Sequence, residues 1–459
     1  MMTQSADVVV MGGGPAGSTC ATFLAMKGHR VVLLEKDRFP RFMIGEGLLP
    51  SVWDIWERLG VREAIESAGY PLKRGVRFRI EEPTGYFEYD IRTDEFPEFF
   101  IKPYTYHVDR GHFDQLLLDN AREKGVDARE GCGADDVIFE GERAVGVRYT
   151  DENGERQEIR SKVVVDTTGR RTLLGVKLKR RYMNTDLRKV SHYTHWEGAK
   201  RRLADDGSVM TDIHTTEGGW IWFIPLRNDV MSVGVVLDAV EVQKSGLSPQ
   251  ELYDRALAAS APGKEWLAGA KQSFKLKHVP AISYLADNFV GDGFVMVGDA
   301  SMFIDPIFSA GVSFAMRGAD FAATAISAAL ENGNVSAAAL RPYEDKIRLP
   351  LRKLHRVISN WYKIIETKER QNIFRFSMKS PLLRQQLVVI LSGGYERGEF
   401  KELMDSLVEA GPPEKASAEP PAEGASNGPV SGPALRASAS SESASMEPEA
   451  RCNDALATG

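Results

Sequence analysis

Residues 6–17 read ADVVVMGGGPAG, a run of β-branched residues followed directly by a glycine cluster. The pattern predicts a strand from Ala6 to Met11, a tight turn, and a helix of small residues from Pro15 to Lys27. A second predicted strand, Arg30 to Leu34, ends in Glu35. This order of strand, glycine turn, helix, strand and acid is typical of a dinucleotide-binding fold, in which the glycines let a pyrophosphate approach the helix N-terminus and the acid accepts the ribose hydroxyls.

The chain beyond Glu35 lacks the alternating strands and helices that a nicotinamide dehydrogenase would continue with. Its pattern predicts these further elements: a helix from Trp53 to Leu59, a strand from Val76 to Ile80, a helix from Leu116 to Arg122, a strand pair joined by a turn at 151–154, and a strand from Phe294 to Val297 that ends in Gly298-Asp299-Ala300. The glycine turn therefore belongs to a different kind of dinucleotide-binding protein.

These pieces, in this order, resemble the FAD-binding domain of the FAD-dependent aromatic hydroxylase superfamily, which the flavin-dependent halogenases share. The resemblance implies an α/β fold with an FAD-binding Rossmann-like domain, a mixed or antiparallel β-sheet substrate domain and a helical C-terminal region. In that superfamily an aspartate holds the flavin ribityl chain and an arginine lies near the cofactor, and the matching positions are Asp299 and Arg110. The residues that we expect to bind FAD are Gly12, Gly14, Ala16, Gly17, Glu35, Lys36, Arg41, Glu46, Arg110, Asp299, Gly311 and Val312.

The predicted domain organisation is discontinuous. We expect an FAD-binding lobe over residues 1–180 and 285–345, with substrate-lobe strands interleaved near 75–105. The substrate-binding sheet is expected over 181–284 and the helical C-terminal region over 346–410. Residues 411–459 are rich in Pro, Ala, Ser, Gly and Glu and contain no aromatic residue. Such a composition buries too little apolar surface to offset its ordering entropy, so we expect a disordered tail.

Residues 220–225 match the Trp-x-Trp-x-Ile-Pro pattern of the flavin-dependent halogenases. As a strand, the segment puts Trp220, Trp222 and Ile224 on one face and Ile221 and Phe223 on the other, so it is expected to be buried on both sides. By itself this indicates a central strand of the substrate-domain sheet. The resemblance adds that this wall keeps the organic substrate away from the flavin.

Residues 303–311 match the halogenase pattern Phe-x-x-Pro-x-x-Ser-x-Gly at every fixed position and precede a predicted helix, Val312 to Leu330. A helix N-terminus carries partial positive charge and unpaired N–H donors, which suits a halide anion. We expect Ser309, Ala310 and Gly311 to bind the halide, although the same amides could instead contact the flavin ring. The residues that the two motifs assign to the substrate pocket are Trp220, Trp222, Pro225, Phe303, Pro306 and Phe308.

In the family, reduced flavin, oxygen and halide produce hypohalous acid, and a lysine captures or orients this oxidant. The matching position is Lys73, just before the predicted strand at Val76. A buried lysine can donate to the oxidant as an ammonium group or, with its pKa lowered by desolvation, react as an amine. The chain departs from the family pattern at one element that lies near the flavin in relatives. Many halogenases read Gly-Glu-Ser where this chain has Gly45-Glu46-Gly47.

The resemblance also narrows the substrate. Tryptophan halogenases carry a glutamate two residues after the motif proline, and this chain has Phe308 there. An uncharged site suits a substrate that supplies its own electron density: a phenol, a pyrrole or an enolisable dicarbonyl, either free or tethered to an acyl or peptidyl carrier protein. The shorter phenol and pyrrole branch of the halogenases is therefore expected. An FAD-dependent hydroxylase or a geranylgeranyl-reductase-like enzyme of the same fold is the alternative, and a non-catalytic flavin-binding protein is a third possibility.

Composition limits the partners. The formal net charge of −6 and the absence of a basic excess argue against nucleic acid. The three cysteines are far apart, and the histidines show no ligand spacing, so no metal is expected. No apolar run is long enough to span a bilayer, and the N-terminus lacks the features of an export signal, so a cytoplasmic location is expected. Because the chain has one dinucleotide fingerprint, we expect a separate NAD(P)H-dependent flavin reductase to supply the reduced FAD.

Overall fold

A computed structural model describes residues 4–82, 85–366 and 379–393. Its strands are β1 Gln4–Met11, β2 Val31–Glu35, β3 Leu72–Glu82, β4 Gly85–Arg92, β5 Thr105–Tyr106, β6 Asp127–Glu130, β7 Gly133–Glu140, β8 Arg143–Thr150, β9 Arg156–Asp166, β10 Arg181–Glu197, β11 Val209–Thr216, β12 Gly219–Pro225, β13 Val230–Asp238, β14 Lys271–Gln272, β15 Lys277–Ala286, β16 Val290–Gly291, β17 Phe294–Met296 and β18 Met302–Phe303. Its helices are α1 Pro15–Met26, α2 Trp53–Leu59, α3 Arg62–Ser67, α4 Arg110–Glu123, α5 Leu173–Lys177, α6 Ala239–Ser245, α7 Pro249–Ala259, α8 Ala261–Trp266, α9 Gly311–Glu331, α10 Ala337–Glu366 and α11 Pro381–Leu391. The predicted tail at 411–459 lies outside the described residues.

The first sheet has the strand order β16-β17-β9-β1-β2-β6, with β7 and β8 attached beside β9. Strands β17, β9, β1, β2 and β6 run parallel. Val8, Val9 and Val10 are fully buried, as expected for a parallel strand that is covered on both faces. Helix α1 packs against α4 and α9. This arrangement is the α/β FAD-binding architecture that the sequence predicts, and the predicted fold class is confirmed.

The glycine turn after β1 depends on two close backbone approaches. Gly12 has φ +107°, and a Cβ there would lie 2.5 Å from the carbonyl oxygen of Thr167 at the end of β9. A Cβ at Gly17 would lie 1.8 Å from the carbonyl oxygen of Gly12. Because no side chain fits at either position, the start of α1 lies directly against the turn, and its N-terminus opens toward the carboxyl edge of the sheet.

The second sheet has the order β18-β15-β10-β13-β12-β11-β3-β4, with β14 beside β10 and β5 beside β3. It is mixed, since β11 pairs with β3 in parallel and the other described pairs are antiparallel. The predicted alternation along β12 is confirmed: Trp220, Trp222 and Ile224 enter the main core, whereas Ile221 and Phe223 enter a second core under α7 and α8. Strand β12 is therefore the wall between two apolar layers.

Helix α4 and strand β3 begin several residues earlier than the sequence pattern predicts. Helix α4 begins at Arg110 and not at Leu116, because the Asp109 carboxylate caps it by accepting from the His112 amide. Strand β3 begins at Leu72, so Lys73 lies inside the strand and the prediction that it precedes the strand is wrong. Pairing of Lys73 with Thr105 of β5 and with Val209 of β11 extends β3 at this end.

The C-terminal helices cover the first sheet and part of the second. Helix α10 packs along α9, and the predicted amphipathic pattern beginning at Leu354 lies within it. Trp361 of this helix is buried against Phe78 of β3, with ring centroids 4.5 Å apart. None of the described helices combines the length and hydropathy needed to cross a membrane.

Candidate active site

A cavity of about 780 Å³ is lined by residues of both sheets and of the loops at their edges. Most of the predicted site residues line it: Gly12, Gly14, Ala16, Glu35, Lys36, Arg41, Glu46, Arg110, Trp220, Trp222, Asp299, Phe303, Pro306, Ser309, Ala310, Gly311 and Val312. The other predicted residues lie behind its wall: Gly17, Lys73, Pro225 and Phe308. The chain thus brings its three predicted groups, for cofactor, halide and substrate, to one cavity.

At the glycine-turn end, positive charge lies beside the N-terminus of α1. The Arg41 guanidinium is 3.6 Å from the point where a Cβ on Gly14 would lie. Asp114, which sequence reasoning missed, holds this arginine with a 2.8 Å bond from Arg41 Nη1. It also accepts two bonds from Arg110 on the same helix, at 2.8 and 2.9 Å. One buried carboxylate therefore positions two cavity arginines, and the turn can receive an anion.

Glu35 lies at the end of β2, as the motif requires, and its carboxylate accepts from the backbone amides of Gly13 at 2.6 Å and Asp37 at 2.9 Å. On the opposite side of the cavity is Asp299, in the turn that follows β17. Burial raises the pKa of the Asp299 carboxyl, and the nearby Arg170 and Arg110 oppose that rise. Two carboxyl groups thus face the cavity where a ribose and a ribityl chain would each need hydrogen-bond acceptors.

The segment from Ile44 to Leu48 is fixed against β5 and the start of α4. Arg110 Nη1 donates to the Ile44 carbonyl at 2.7 Å, and the Val108 amide donates to the Glu46 carbonyl at 2.8 Å. The Glu46 side chain is buried, and its Oε1 lies 2.6 Å from Nε2 of His195 on β10. Its Oε2 has no partner among the described residues. Glu46 therefore anchors this segment of the cavity wall to β10.

Lys73 is 2% exposed, and its Nζ donates to the carbonyl of Leu48 at 2.9 Å. Burial lowers the pKa of its ammonium group to about 7. Gly47 lies between this amine and the motif serine, since a Cβ on Gly47 would be 3.2 Å from Lys73 Nζ and 2.9 Å from Ser309 Oγ. The glycine that departs from the family pattern thus allows the lysine and the serine to approach the same point of the cavity wall.

His107, to which the sequence analysis assigned no role, forms hydrogen bonds to residues of two neighbouring strands. Its Nδ1 donates to the carbonyl of Pro225 at 3.1 Å, and because a carbonyl only accepts, Nε2 accepts from Thr211 Oγ1 at 2.8 Å. Burial and the charge of Lys73 lower the pKa of His107 well below its usual value. This neutral imidazole therefore connects Pro225 of the tryptophan motif to Thr211 of β11.

The predicted halide residues form the entry to α9. Ser309 has φ +54°, and its amide donates to the Pro306 carbonyl at 3.0 Å, which closes a tight turn. Ala310 is the residue before the helix, and none of the described side chains caps this end. A Cβ on Gly311 would have no atom within 4 Å. The first amides of α9 therefore border open space in the cavity, as an anion or a flavin ring would require.

The substrate side contains an acidic group that the sequence analysis did not expect. Phe308 is buried against Phe78 and Trp361, with centroids 6.2 and 5.8 Å apart, and carries no charge into the cavity. However, Asp305, three residues earlier in the same motif, lines the cavity. Burial raises the pKa of its carboxyl to about 6. The uncharged character of the substrate site stays a prediction, and a variable position of the motif adds a carboxyl group to the cavity.

The described residues bring together no group of three or more His, Cys, Asp or Glu side chains that could hold a metal ion.

The sequence profile of the tryptophan halogenase family matches residues 7–100 and 98–374. The chain belongs to the flavin-dependent halogenase family. It is 32% identical to the 1H-pyrrole-2-carbonyl-[peptidyl-carrier protein] chlorinase of Pseudomonas fluorescens, over 89% of this chain and 94% of that protein. It is also 32% identical to the tryptophan 2-halogenase of Chondromyces crocatus, over 87% of this chain and 77% of that protein.

Among solved structures, the flavin-dependent brominase Bmp2 superimposes with a TM-score of 0.78 at 31% identity, covering 89% of this chain and 98% of that one. The halogenase described here is thus an FAD-dependent enzyme with the fold of its relatives. Its residues fit the cofactor, because the glycine turn with Arg41 suits a pyrophosphate, and the open space at Gly311 suits a flavin ring.

Proposed function

We propose that this halogenase uses reduced FAD, O2 and chloride or bromide to halogenate an electron-rich carbon of a pyrrole, a phenol or an enolisable dicarbonyl. When bound in its reduced form, the FAD supplies the electrons with which oxygen converts halide to hypohalous acid. The chain's own residues then have three tasks: to hold the halide beside the cofactor, to retain the small oxidant, and to present the substrate away from the flavin.

The observation that carries the proposal is the approach of Lys73 Nζ and Ser309 Oγ to the same glycine, Gly47. The amides at Ala310 and Gly311 favour a halide by their partial positive charge. An amine with a pKa near 7 can be present both as ammonium, which donates to the oxygen of the oxidant, and as a free base. A basic group beside the glycine that the motif serine also approaches can therefore capture the oxidant before it reaches solvent.

The apolar face of β12 supports the separation of cofactor and substrate. Trp220, Trp222 and Ile224 line the cavity, and the Trp222 indole is fixed by a 3.1 Å bond to Ser232 Oγ. A wall of two buried indoles can keep a substrate ring away from the flavin. Pyrrole as the substrate ring, and its delivery on a carrier protein, are favoured by the name of the Pseudomonas relative. We expect the shorter pyrrole and phenol branch on the same ground.

We further propose a separate NAD(P)H-dependent flavin reductase as the source of reduced FAD, because the sequence contains one dinucleotide fingerprint. A cytoplasmic location stays a prediction, and cell fractionation tests it.

The experiment is mass spectrometry of a panel of free and carrier-tethered pyrroles, phenols and 1,3-diketones. The protein is incubated with FAD, a flavin reductase, NADH, oxygen and chloride or bromide. A halogen isotope pattern that requires both the halide and the reductase is the expected result. A product that gains one oxygen instead, or NADH oxidation without the reductase, would assign the enzyme to the hydroxylase alternative.

A further inference from the structure

Three side chains from distant parts of the chain form one line of hydrogen bonds that ends at the cavity. The indole Nε1 of Trp220, on β12, donates to the hydroxyl oxygen of Tyr362, on α10, at 2.8 Å. The Tyr362 hydroxyl donates to Oδ2 of Asp305 at 3.0 Å. The other oxygen of Asp305, Oδ1, accepts from the backbone amide of Ile307 at 3.0 Å. The carboxyl group is thus fixed from two sides.

The direction of these bonds is determined by chemistry. An indole N–H only donates, so the Tyr362 oxygen accepts and its own proton points at Asp305. Both oxygens of Asp305 are therefore acceptors in this arrangement. An ionised carboxylate offers about four acceptor positions, and the described residues occupy two of them. Since Asp305 lines the cavity, its remaining positions are available to a ligand there.

Among the described residues, no cationic side chain contacts Asp305 directly. Asp305 is 8% exposed, and none of the described residues forms an ion pair with it. Lys189 attracts the carboxylate only through space, and its Nζ lies 4.6 Å above the Tyr362 ring and 3.3 Å from Asp238. A buried carboxylate without an ion-pair partner is costly, and a further hydrogen-bond donor from a bound molecule would reduce that cost. Trp220, which Tyr362 connects to Asp305, also lines the cavity and offers a ligand ring apolar contact.

We propose that Asp305 binds the substrate by accepting a hydrogen bond from the ring N–H of a pyrrole or the O–H of a phenol, and that Tyr362 and Trp220 position it. The inference rests on the proposed function, which it deepens by assigning the substrate's orienting contact. It also predicts a substrate class, namely electron-rich rings that carry a hydrogen-bond donor conjugated with the reacting carbon.

The same contact assists the chemical step. As the ring carbon bonds to the halogen of hypohalous acid, the N–H or O–H proton moves to the Asp305 carboxylate, and its bonding electrons flow into the ring. The oxygen of the oxidant leaves with the electrons of the broken oxygen–halogen bond and takes a proton from the Lys73 ammonium to become water. Loss of the ring C–H proton to water, from which Lys73 regains its proton, and return of the proton from Asp305 restore the aromatic ring. The net reaction converts a C–H bond and hypohalous acid into a C–halogen bond and water.

The test compares pyrrole with N-methylpyrrole, and phenol with anisole, as probes of the donor. For each pair the kcat/KM ratio is measured by product mass spectrometry with saturating FAD, reductase and bromide. A hydrogen bond to a charged acceptor predicts that the wild type prefers the donor-bearing member by about tenfold to a hundredfold. Asp305→Asn is expected to reduce that preference by tenfold or more, and Tyr362→Phe by about threefold to tenfold.

The matched control is Asp205→Asn, the same chemical change at an exposed carboxylate, which should leave the ratio unchanged. Tyr362→Phe keeps the inference testable if Asp305→Asn fails to fold, because it alters the line of bonds without removing the carboxyl group. A wild type that halogenates both members of each pair equally, or variants that retain the full preference, would overturn the inference while the proposed function stands. A wild type that forms no halogenated product at all would overturn both.

Discussion

The buried Lys73 should leave a pH-dependent signature in the stability of the folded protein. A pKa of about 7, against 10.5 for an ordinary lysine, means that the folded state binds this proton more weakly than the unfolded state does. Below pH 7 this difference in pKa lowers the free energy of unfolding by about 5 kcal/mol. The cost decreases as the pH rises from 7 toward 10.5, because the unfolded lysine then loses its proton as well. Lys73→Met removes this cost at every pH.

We therefore expect the Lys73→Met variant to be more stable than the wild type at pH 6, and the difference to shrink by about 2–3 kcal/mol between pH 6 and pH 9. The assay is urea unfolding of the flavin-free protein at several pH values, followed by tryptophan fluorescence. Lys124→Met, at an exposed lysine, is the matched control and should show no such trend. A stability difference between Lys73→Met and the wild type that is the same at pH 6 and pH 9 would refute the reasoning, because it would mean that Lys73 titrates as an ordinary lysine.

Two further substitutions test the scaffold of the site. Gly234 lies opposite Trp222 in the β12–β13 pair, and a Cβ on Gly234 would lie 2.2 Å from the indole. Gly234→Ala should therefore lower the free energy of unfolding by about 1–3 kcal/mol and shift the tryptophan emission. Gly133→Ala, where the nearest atom would be 3.4 Å away, is its control, and equal effects of the two changes would contradict the account. Asp114→Asn weakens the anchoring of Arg41, so it should lower the free energy of unfolding by about 3–5 kcal/mol and raise the Kd for FAD. Unchanged flavin affinity in a titration would speak against that role.

The parts of the fold that follow from local sequence were predicted well. The glycine turn is determined by steric contacts within a few residues and with the end of one neighbouring strand, and the β12 pattern follows from its period of two. The first turns of α4 were missed because the Asp109 cap was not taken into account, and the start of β3 because its pairing with β5 and β11 is not local.

The site was predictable only where a motif names its residues. The contact of Tyr362 with Trp220 joins positions 142 residues apart, and its contact with Asp305 joins positions 57 apart. No periodicity or spacing predicts such pairs. Asp114 stands four residues after Arg110, a helical pairing distance, but both residues precede the predicted helix Leu116 to Arg122, so the pair was not expected. The bond from His107 to the Pro225 carbonyl depends on how two sheets pack, which a single sequence does not specify.

The most direct test of the account concerns the transfer of the oxidant by Lys73. Wild type, Lys73→Met and Lys124→Met are compared by mass spectrometry of product formed from pyrrole-2-carbonyl carrier protein with bromide, FAD, a flavin reductase, NADH and oxygen. FAD affinity is measured in parallel. The account predicts brominated product from the wild type and from Lys124→Met, and none from Lys73→Met although it binds FAD as tightly. Brominated product from Lys73→Met at the wild-type rate would contradict the central claim.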